Sequence, residues 1–181
     1  MRCALLLLAI AACATAGSTP EGSPARQAAI FSSAETGILL GERPRAVAAV
    51  IAAPPASVWL AVKKVYGEFE IPVTVENPSA HQIGNPDFYK TRQLAGQSMV
   101  QFVDCGSGMT GPKAASYRIF ISSLTDVMAD GKGGTTVQTT FVARGQDFSG
   151  TSSEKIPCGS TGRFEGFLLE RVRAALGVAL K

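Results

Sequence analysis

The sequence is poor in charged residues and in the residue types that most often catalyse reactions. Only 17% of its 181 residues are charged, and it has a single histidine, His81. The lysines and arginines are scattered, with no run longer than Lys63-Lys64 and no basic stripe with interleaved aromatics, so nucleic acid is not expected as a partner. We interpret His81 as a surface or strand-edge imidazole, because no acid or nucleophile is marked beside it. Catalysis or metal binding through His81 is the alternative.

Long hydrophobic runs are also lacking. The most apolar stretch, Cys3 to Ala12, has no charge but is far shorter than the roughly 20 residues that a membrane-spanning helix needs. It follows the positive Met1-Arg2 segment, and this order is typical of a secretory signal. The sequence therefore predicts export from the cytoplasm, with residues 1–12 as the signal peptide.

The four cysteines divide by position. Cys3 lies inside the predicted signal and Cys13 at its end, so Cys105 and Cys158 remain as a pair in the folded region. An even pair in an exported protein favours a disulfide, worth roughly 4 kcal/mol in the chain-entropy model for a loop of that length. Two unbridged buried thiols are the alternative. Neither cysteine has a second Cys or His at ligand spacing, so no metal site is expected.

Residues Ile10-Ala11-Ala12-Cys13 resemble the bacterial lipobox, which is an aliphatic residue, two small residues and a cysteine. The resemblance implies that Cys13 receives a diacylglyceryl group and that the signal is cut just before it. It also implies a periplasm-facing protein of the outer membrane, because Ala14 and not Asp follows the cysteine. The alternative is an ordinary signal, cut after Ala12-Cys13-Ala14 or Ala14-Thr15-Ala16, which would leave a soluble secreted or periplasmic protein.

The rest of the chain divides into a tether and one domain. Residues 13–44 are rich in Ala, Ser, Gly and Pro, which predicts a lipid-anchored flexible tether, although 28–40 are apolar enough to dock on the domain as a short strand or turn. Within the domain, 45–181, the patterns predict a strand over 45–52, a helix over 56–68, strands over 71–75, 81–83, 88–94 and 98–105, a hairpin of 117–128 with 135–143, and a helix over 161–180 capped by Ser160 or Thr161.

This order of elements predicts an α+β fold in two layers, an antiparallel sheet of about six strands packed on a long C-terminal helix. The stretch VIAAPPASVW, residues 50–59, resembles the opening of the START/polyketide-cyclase superfamily. That resemblance covers about 45–180 and implies the helix-grip fold, in which the sheet grips the final helix. BamC-type outer-membrane lipoproteins are a more distant resemblance, in architecture and location only.

No catalytic constellation stands out, so we expect neither an enzyme nor a cofactor. Asp104 and the other acids form no marked pair of the glycosidase kind. The glycine-rich stretch CGSGMTGP, residues 105–112, lacks the Gly-Lys-Ser/Thr ending of a phosphate loop and leads into a predicted strand. We interpret it as a long flexible loop held at one end by the disulfide.

The sequence favours a non-catalytic cell-envelope lipoprotein that binds a protein partner or serves in an assembly. The alternatives are a carrier or sensor of a small apolar ligand in a helix-grip cavity and, third, an enzyme of the cyclase or hydrolase kind. A cavity above roughly 300 Å³ under the final helix would favour the carrier, and a filled interior with an exposed apolar patch would favour partner binding. The disulfide would fix the mouth of such a cavity or only stabilise the fold. The residues expected to line a cavity are Trp59, Phe102, Tyr117, Phe164, Phe167 and Leu168.

Overall fold

A computed structural model describes residues 46–149 and 153–178. The predicted signal, the lipobox with Cys13, and the tether over 13–44 therefore lie outside the described residues. The described part is an α+β fold in which an antiparallel sheet packs on the C-terminal helix, as predicted, and also on the first helix, and it is consistent with the helix-grip fold. The elements are β1 (Ala46–Ile51), α1 (Pro55–Glu68), β2 (Val75–Asn77), β3 (Gln82–Thr91), β4 (Gln93–Leu94), β5 (Gln97–Ser98), β6 (Val103–Asp104), β7 (Ser107–Gly108), β8 (Gly111–Pro112), β9 (Arg118–Ala129), β10 (Thr135–Gln146), β11 (Lys155–Ser160) and α2 (Arg163–Leu176).

The main sheet is built around the long β9–β10 hairpin. Its strands lie in the order β2-β3-β9-β10-β11-β6, and β1 shares the outer edge of β10 with β11. β1 pairs with Thr135 to Thr140 of β10, and β11 pairs with Ala143 to Gln146 of the same strand. The hairpin turn is closed by Asp130, whose Oδ1 accepts the N–H of Lys132 at 2.7 Å and of Gly134 at 2.8 Å. The predicted hairpin is confirmed.

Both helices pack on one face of the sheet. α1 begins at Pro55, where the absent N–H costs no helical hydrogen bond, and it buries Val58, Val62 and Val65 along one stripe. α2 buries Phe164, Leu168 and Val172 at i, i+4 and i+8, and its C-cap is Gly177 with φ 67°. Both predicted helices are confirmed.

The predicted cap of the last helix is wrong in detail. The N-cap residue is Gly162, which has the left-handed φ of 80° that glycine adopts without strain. Ser160 and Thr161 still serve this end, because their hydroxyl oxygens accept the N–H of Gly162 at 3.1 Å and of Arg163 at 3.3 Å.

Two predicted strand segments in the middle of the chain are wrong. Residues 71–74 form no strand, and pairing begins at Val75. The predicted pair 81–83 and 88–94 is mostly one strand, β3, because no turn forms at 84–87. A bulge between Asn85 and Phe88 accommodates Pro86, which has no N–H to donate to β9.

The prediction for 98–105 is wrong for most of its length, and β11 of the main sheet was not predicted. Residues 99–101 form a 3₁₀ turn that buries Met99, and the strand residues of this segment are Ser98, at the end of β5, and Val103–Asp104. The Thr161 hydroxyl donates to the carbonyl of Gln101 at 2.6 Å, so the start of α2 holds this turn in place. β11 pairs with β10, the strand before it in the chain, but its Pro157 and Gly159 are residues of low strand propensity, so the local sequence did not predict it.

Candidate functional site

The space between the sheet and α2 contains a cluster of phenylalanine rings centred on the fully buried Phe164. Its ring centroid lies 4.4 Å from that of Phe141, 5.7 Å from that of Phe102 and 6.0 Å from that of Phe69. Phe167 stacks on Phe69 with the centroids 5.0 Å apart. Three of the six residues expected to line a cavity thus contact one another in this cluster, and Leu168 is buried on the same helix. The rings pack against each other between the sheet and α2, where the sequence analysis considered a cavity.

The other two expected cavity residues lie elsewhere. Trp59, half-buried on α1, contacts Glu76 at the surface. The Glu76 carboxylate accepts hydrogen bonds from Lys63 at 2.9 Å, and these, followed by the contact with Trp59, hold its pKa below the usual range. Tyr117 precedes β9 and lies beside Gly145, next to the disulfide.

A hydroxyl network occupies the same inner face of the sheet nearer to α1. The phenol oxygen of Tyr66 lies 3.0 Å from Ser123 Oγ and 3.1 Å from Thr125 Oγ1, and Thr125 in turn lies 3.0 Å from Thr139 Oγ1. All four side chains are buried, and burial raises the pKa of Tyr66 to about 12. Because these hydroxyls are partnered with one another, the network stabilises the interface of α1 with the sheet and presents no polar group to a ligand.

Glu165 in the first turn of α2 is the one carboxyl side chain that is buried within 46–149 and 153–178, with 1% of its surface exposed. Its Oε1 accepts the Ser160 hydroxyl at 3.0 Å, whereas Oε2 has no hydrogen-bond partner in the described part of the chain. Burial raises the pKa of this carboxyl, although the helix N-terminus favours the ionised form. No set of three or more His, Cys, Asp or Glu residues that could bind a metal occurs in those ranges.

The disulfide between Cys105 and Cys158 is present, as predicted. It continues the short β6–β11 ladder, so it joins the 99–105 segment to the strand that leads into α2. The sulfurs pack on Gly145, where an added Cβ would lie 3.2 Å from Cys158 Sγ and 3.4 Å from Cys105 Sγ. The glycine-rich segment after Cys105 was expected to be a long loop, but it folds back as the β7–β8 hairpin.

His81 is exposed in the turn before β3, with φ 54°, and its backbone N–H donates to the Pro78 carbonyl at 3.1 Å. Asp104 accepts the N–H of Gly106 at 2.8 Å, which is a local turn contact. His81 therefore lies in a turn, and the Asp104 carboxylate is engaged by the backbone of its own turn.

The opposite face of the sheet carries a feature that the sequence analysis missed. Strand alternation directs the side chains there away from both helices. Arg118 Cζ lies 5.0 Å from the Tyr89 ring centroid and 5.2 Å from that of Phe148, and Lys155 Nζ lies 4.1 Å from that of Phe120. Tyr89 is 58% exposed and Phe148 66%. We call these five residues the cation–aromatic patch.

A partial signal for the patch was available in the sequence. Arg118 and Phe120 are two positions apart in a predicted strand and so share one face. Tyr89 could not be assigned to that face, because its pairing with Phe120 depends on the bulge in β3. Lys155 could not be assigned either, since β11 was not predicted.

Comparison with known proteins assigns neither a family nor a function to this chain. No protein-family model matches the chain, and no functionally described protein matches it significantly. No helix in the described ranges is long and apolar enough to cross a membrane.

Proposed function

We propose that this protein is a non-catalytic cell-envelope lipoprotein, held in the membrane by a lipid on Cys13, which binds a partner in an assembly or accessory role. The observation that supports this function over that of a ligand carrier is the phenylalanine cluster. Ring centroids 4.4 to 6.0 Å from Phe164 are at the contact distances of aromatic pairs. Because these rings pack against one another under α2, the proposed binding surface is the exterior of the domain.

The hydrogen bonds of the interior support a role without catalysis. General acid–base chemistry needs a titratable group within about 3 Å of a reacting atom. Tyr66 is engaged with Ser123 and Thr125, and the Ser160 hydroxyl is engaged with Glu165. These groups act on one another as parts of the core.

Two independent features support export, and the first of them also supports anchoring. The sequence ending at Cys13 resembles a lipobox, and the Cys105–Cys158 disulfide suits an oxidising compartment such as the periplasm. With Ala14 after the lipidated cysteine, the proposed location is the periplasmic face of the outer membrane.

The anchor is tested by labelling cells with a radioactive fatty acid. We expect label in the wild type and in Cys3→Ala, which changes a cysteine inside the signal, and none in Cys13→Ala. Equal labelling of wild type and Cys13→Ala, or no label in either, would contradict the anchor and favour a soluble exported domain.

The binding role is tested by native mass spectrometry of the protein extracted from its own envelope in mild detergent. We expect a complex with a second polypeptide and no tightly held small molecule. A stoichiometric apolar ligand that survives removal of the detergent would favour the carrier. An empty monomer would contradict both functions.

A further inference from the structure

We propose that the cation–aromatic patch is a second membrane contact, which binds the phosphate headgroups of anionic phospholipids and turns this end of the domain toward the bilayer. The proposal deepens the proposed function by naming a membrane ligand for one surface of the domain. Only the expected orientation of the domain, with this end facing the bilayer, rests on the anchor at Cys13. The patch lies on the face of the sheet that packs on neither helix.

The Arg118 guanidinium has donors without acceptors. The rings of Tyr89 and Phe148 flank it, yet within the described residues its side chain has no hydrogen bond or ion pair, and its Nε is buried without a partner. Guanidinium groups have five N–H donors in a planar fork that matches phosphate oxygens. Unsatisfied buried donors are rare in folded proteins, and a bound phosphate would supply the acceptors.

Two further cations lie beside Arg118. Lys155 lies over the Phe120 ring, and Arg144 is the direct cross-strand neighbour of Phe120 on β10. Neither is in an ion pair with another residue that the structure describes. Asp147 and Glu154 border the patch and make contacts of their own, so the field around it is not broadly positive. The electrostatic attraction of the patch for anions is therefore local, which suits contacts with individual phosphate groups.

The exposed rings provide the apolar half of the contact. Phe148 lies in the connection between β10 and β11, and Tyr89 lies near the end of β3, both within reach of Arg118. Aromatic side chains beside cations are typical of protein segments at the boundary of headgroups and acyl chains. A phosphate held by Arg118 would therefore bring Phe148 to the level of that boundary.

The direction of the chain favours a bilayer over a protein as the occupant. β1 runs antiparallel to β10 with Ala46 opposite Thr140, so the chain enters the domain from the side on which β10 ends at Gln146. Arg118 and Lys155 lie opposite Gln146 on the two neighbouring strands, so the patch is at that same end. Cys13 precedes Ala46 by 33 positions, so a lipid there would keep the domain within reach of the membrane, and the end of the sheet that carries the patch is the end at which the chain enters.

Vesicle sedimentation tests the proposal. The chain from residue 13 with Cys13→Ala keeps every residue of the described fold and its core, and it lacks both the lipid and the apolar leader. We expect it to sediment with vesicles of phosphatidylglycerol and phosphatidylethanolamine, and much less with phosphatidylcholine alone. Arg118→Gln and Lys155→Gln should each weaken binding about fivefold, and the double variant about 25-fold.

Matched variants separate this contact from general charge or apolarity. Lys132→Gln removes one cation from the β9–β10 turn at the other end of the sheet, and Leu60→Gln removes an exposed apolar side chain from α1. Both should bind as the parent does, whereas Phe148→Ser should bind more weakly. Arg118→Lys, which keeps the charge but loses the fork, should lie between the parent and Arg118→Gln. Circular dichroism and urea midpoints establish that each variant is folded.

Three results would overturn the proposal: no sedimentation, equal binding to neutral vesicles, or no effect of Arg118→Gln. Failure of the anchor is distinguishable, because fatty-acid labelling tests Cys13 and the vesicle assay uses an unlipidated chain. If Arg118→Gln abolishes a complex found by native mass spectrometry and leaves vesicle binding unchanged, the patch is a protein interface and the proposal is wrong.

Discussion

Removing the disulfide should reduce the stability of the domain by about 4 kcal/mol. The bridge joins residues 53 positions apart, and the chain-entropy model gives about 4 kcal/mol for a loop of that length. The same segment is otherwise held by two paired positions, Gly159 with Asp104 and Ser160 with Val103, and by the hydrogen bonds of Thr161 to Gln101 and Phe102. The loss is a large fraction of the roughly 5–15 kcal/mol by which domains are stable.

Urea unfolding of Cys105→Ala/Cys158→Ala measures this loss. Trp59 is the single tryptophan of the chain and lies half-buried on α1, so its fluorescence reports the unfolding of the helix layer. Wild type reduced with dithiothreitol should match the double alanine variant, because both lack the same restraint. A loss below about 1 kcal/mol would refute the reasoning and show that the bridge restrains little in the unfolded chain.

Gly145→Ala provides a test of the packing around the bridge. An added Cβ would lie 3.2 Å from Cys158 Sγ and 3.2 Å from Tyr117 Cδ2. It should destabilise the oxidised protein by about 1–3 kcal/mol, the range for overpacking. In the double alanine background it should cost less, since the sulfurs are gone. Equal costs in both backgrounds would show that the sulfurs do not require glycine.

Three further predictions concern the interior. Phe164→Ala should lower the free energy of unfolding by about 3–5 kcal/mol in urea, because it leaves a cavity at the centre of the ring cluster; a loss near that of an exposed site would contradict the cluster. Tyr66→Phe should cost about 1–3 kcal/mol, since it leaves the buried Ser123 hydroxyl without its partner, and Tyr89→Phe, on the exposed face, should cost much less. Glu165 has a pKa raised above the ordinary 4.5 in the folded state, so the stability it contributes is complete below pH 4.5 and is lost as the pH rises through the folded pKa. Unfolding free energies measured from pH 4 to 8 should therefore fall more steeply for wild type than for Glu165→Gln, and parallel profiles would contradict the assignment.

The elements that could be predicted are those whose partners are close in sequence. The β9–β10 hairpin has its turn residues between its strands, and α1 and α2 have apolar residues on one face of each helix. β3 and the 98–105 segment were predicted incorrectly because their form depends on distant contacts. A bulge in the pairing of β3 with β9 accommodates Pro86, and a hydrogen bond from Thr161 holds the turn at Met99.

The sequence by itself determined the fold class, the two helices, the central hairpin and the cysteine pair, and it carries the lipobox-like motif on which the proposed anchor rests. Only the tertiary structure decided that Phe69, Phe102, Phe141, Phe164 and Phe167 pack against one another under α2, and that cations and rings from β3, β9 and β11 meet on the opposite face. The reason is that side-chain periodicity shows which face of an element is apolar. Which distant element covers that face, and at what register, depends on contacts between residues far apart in the chain.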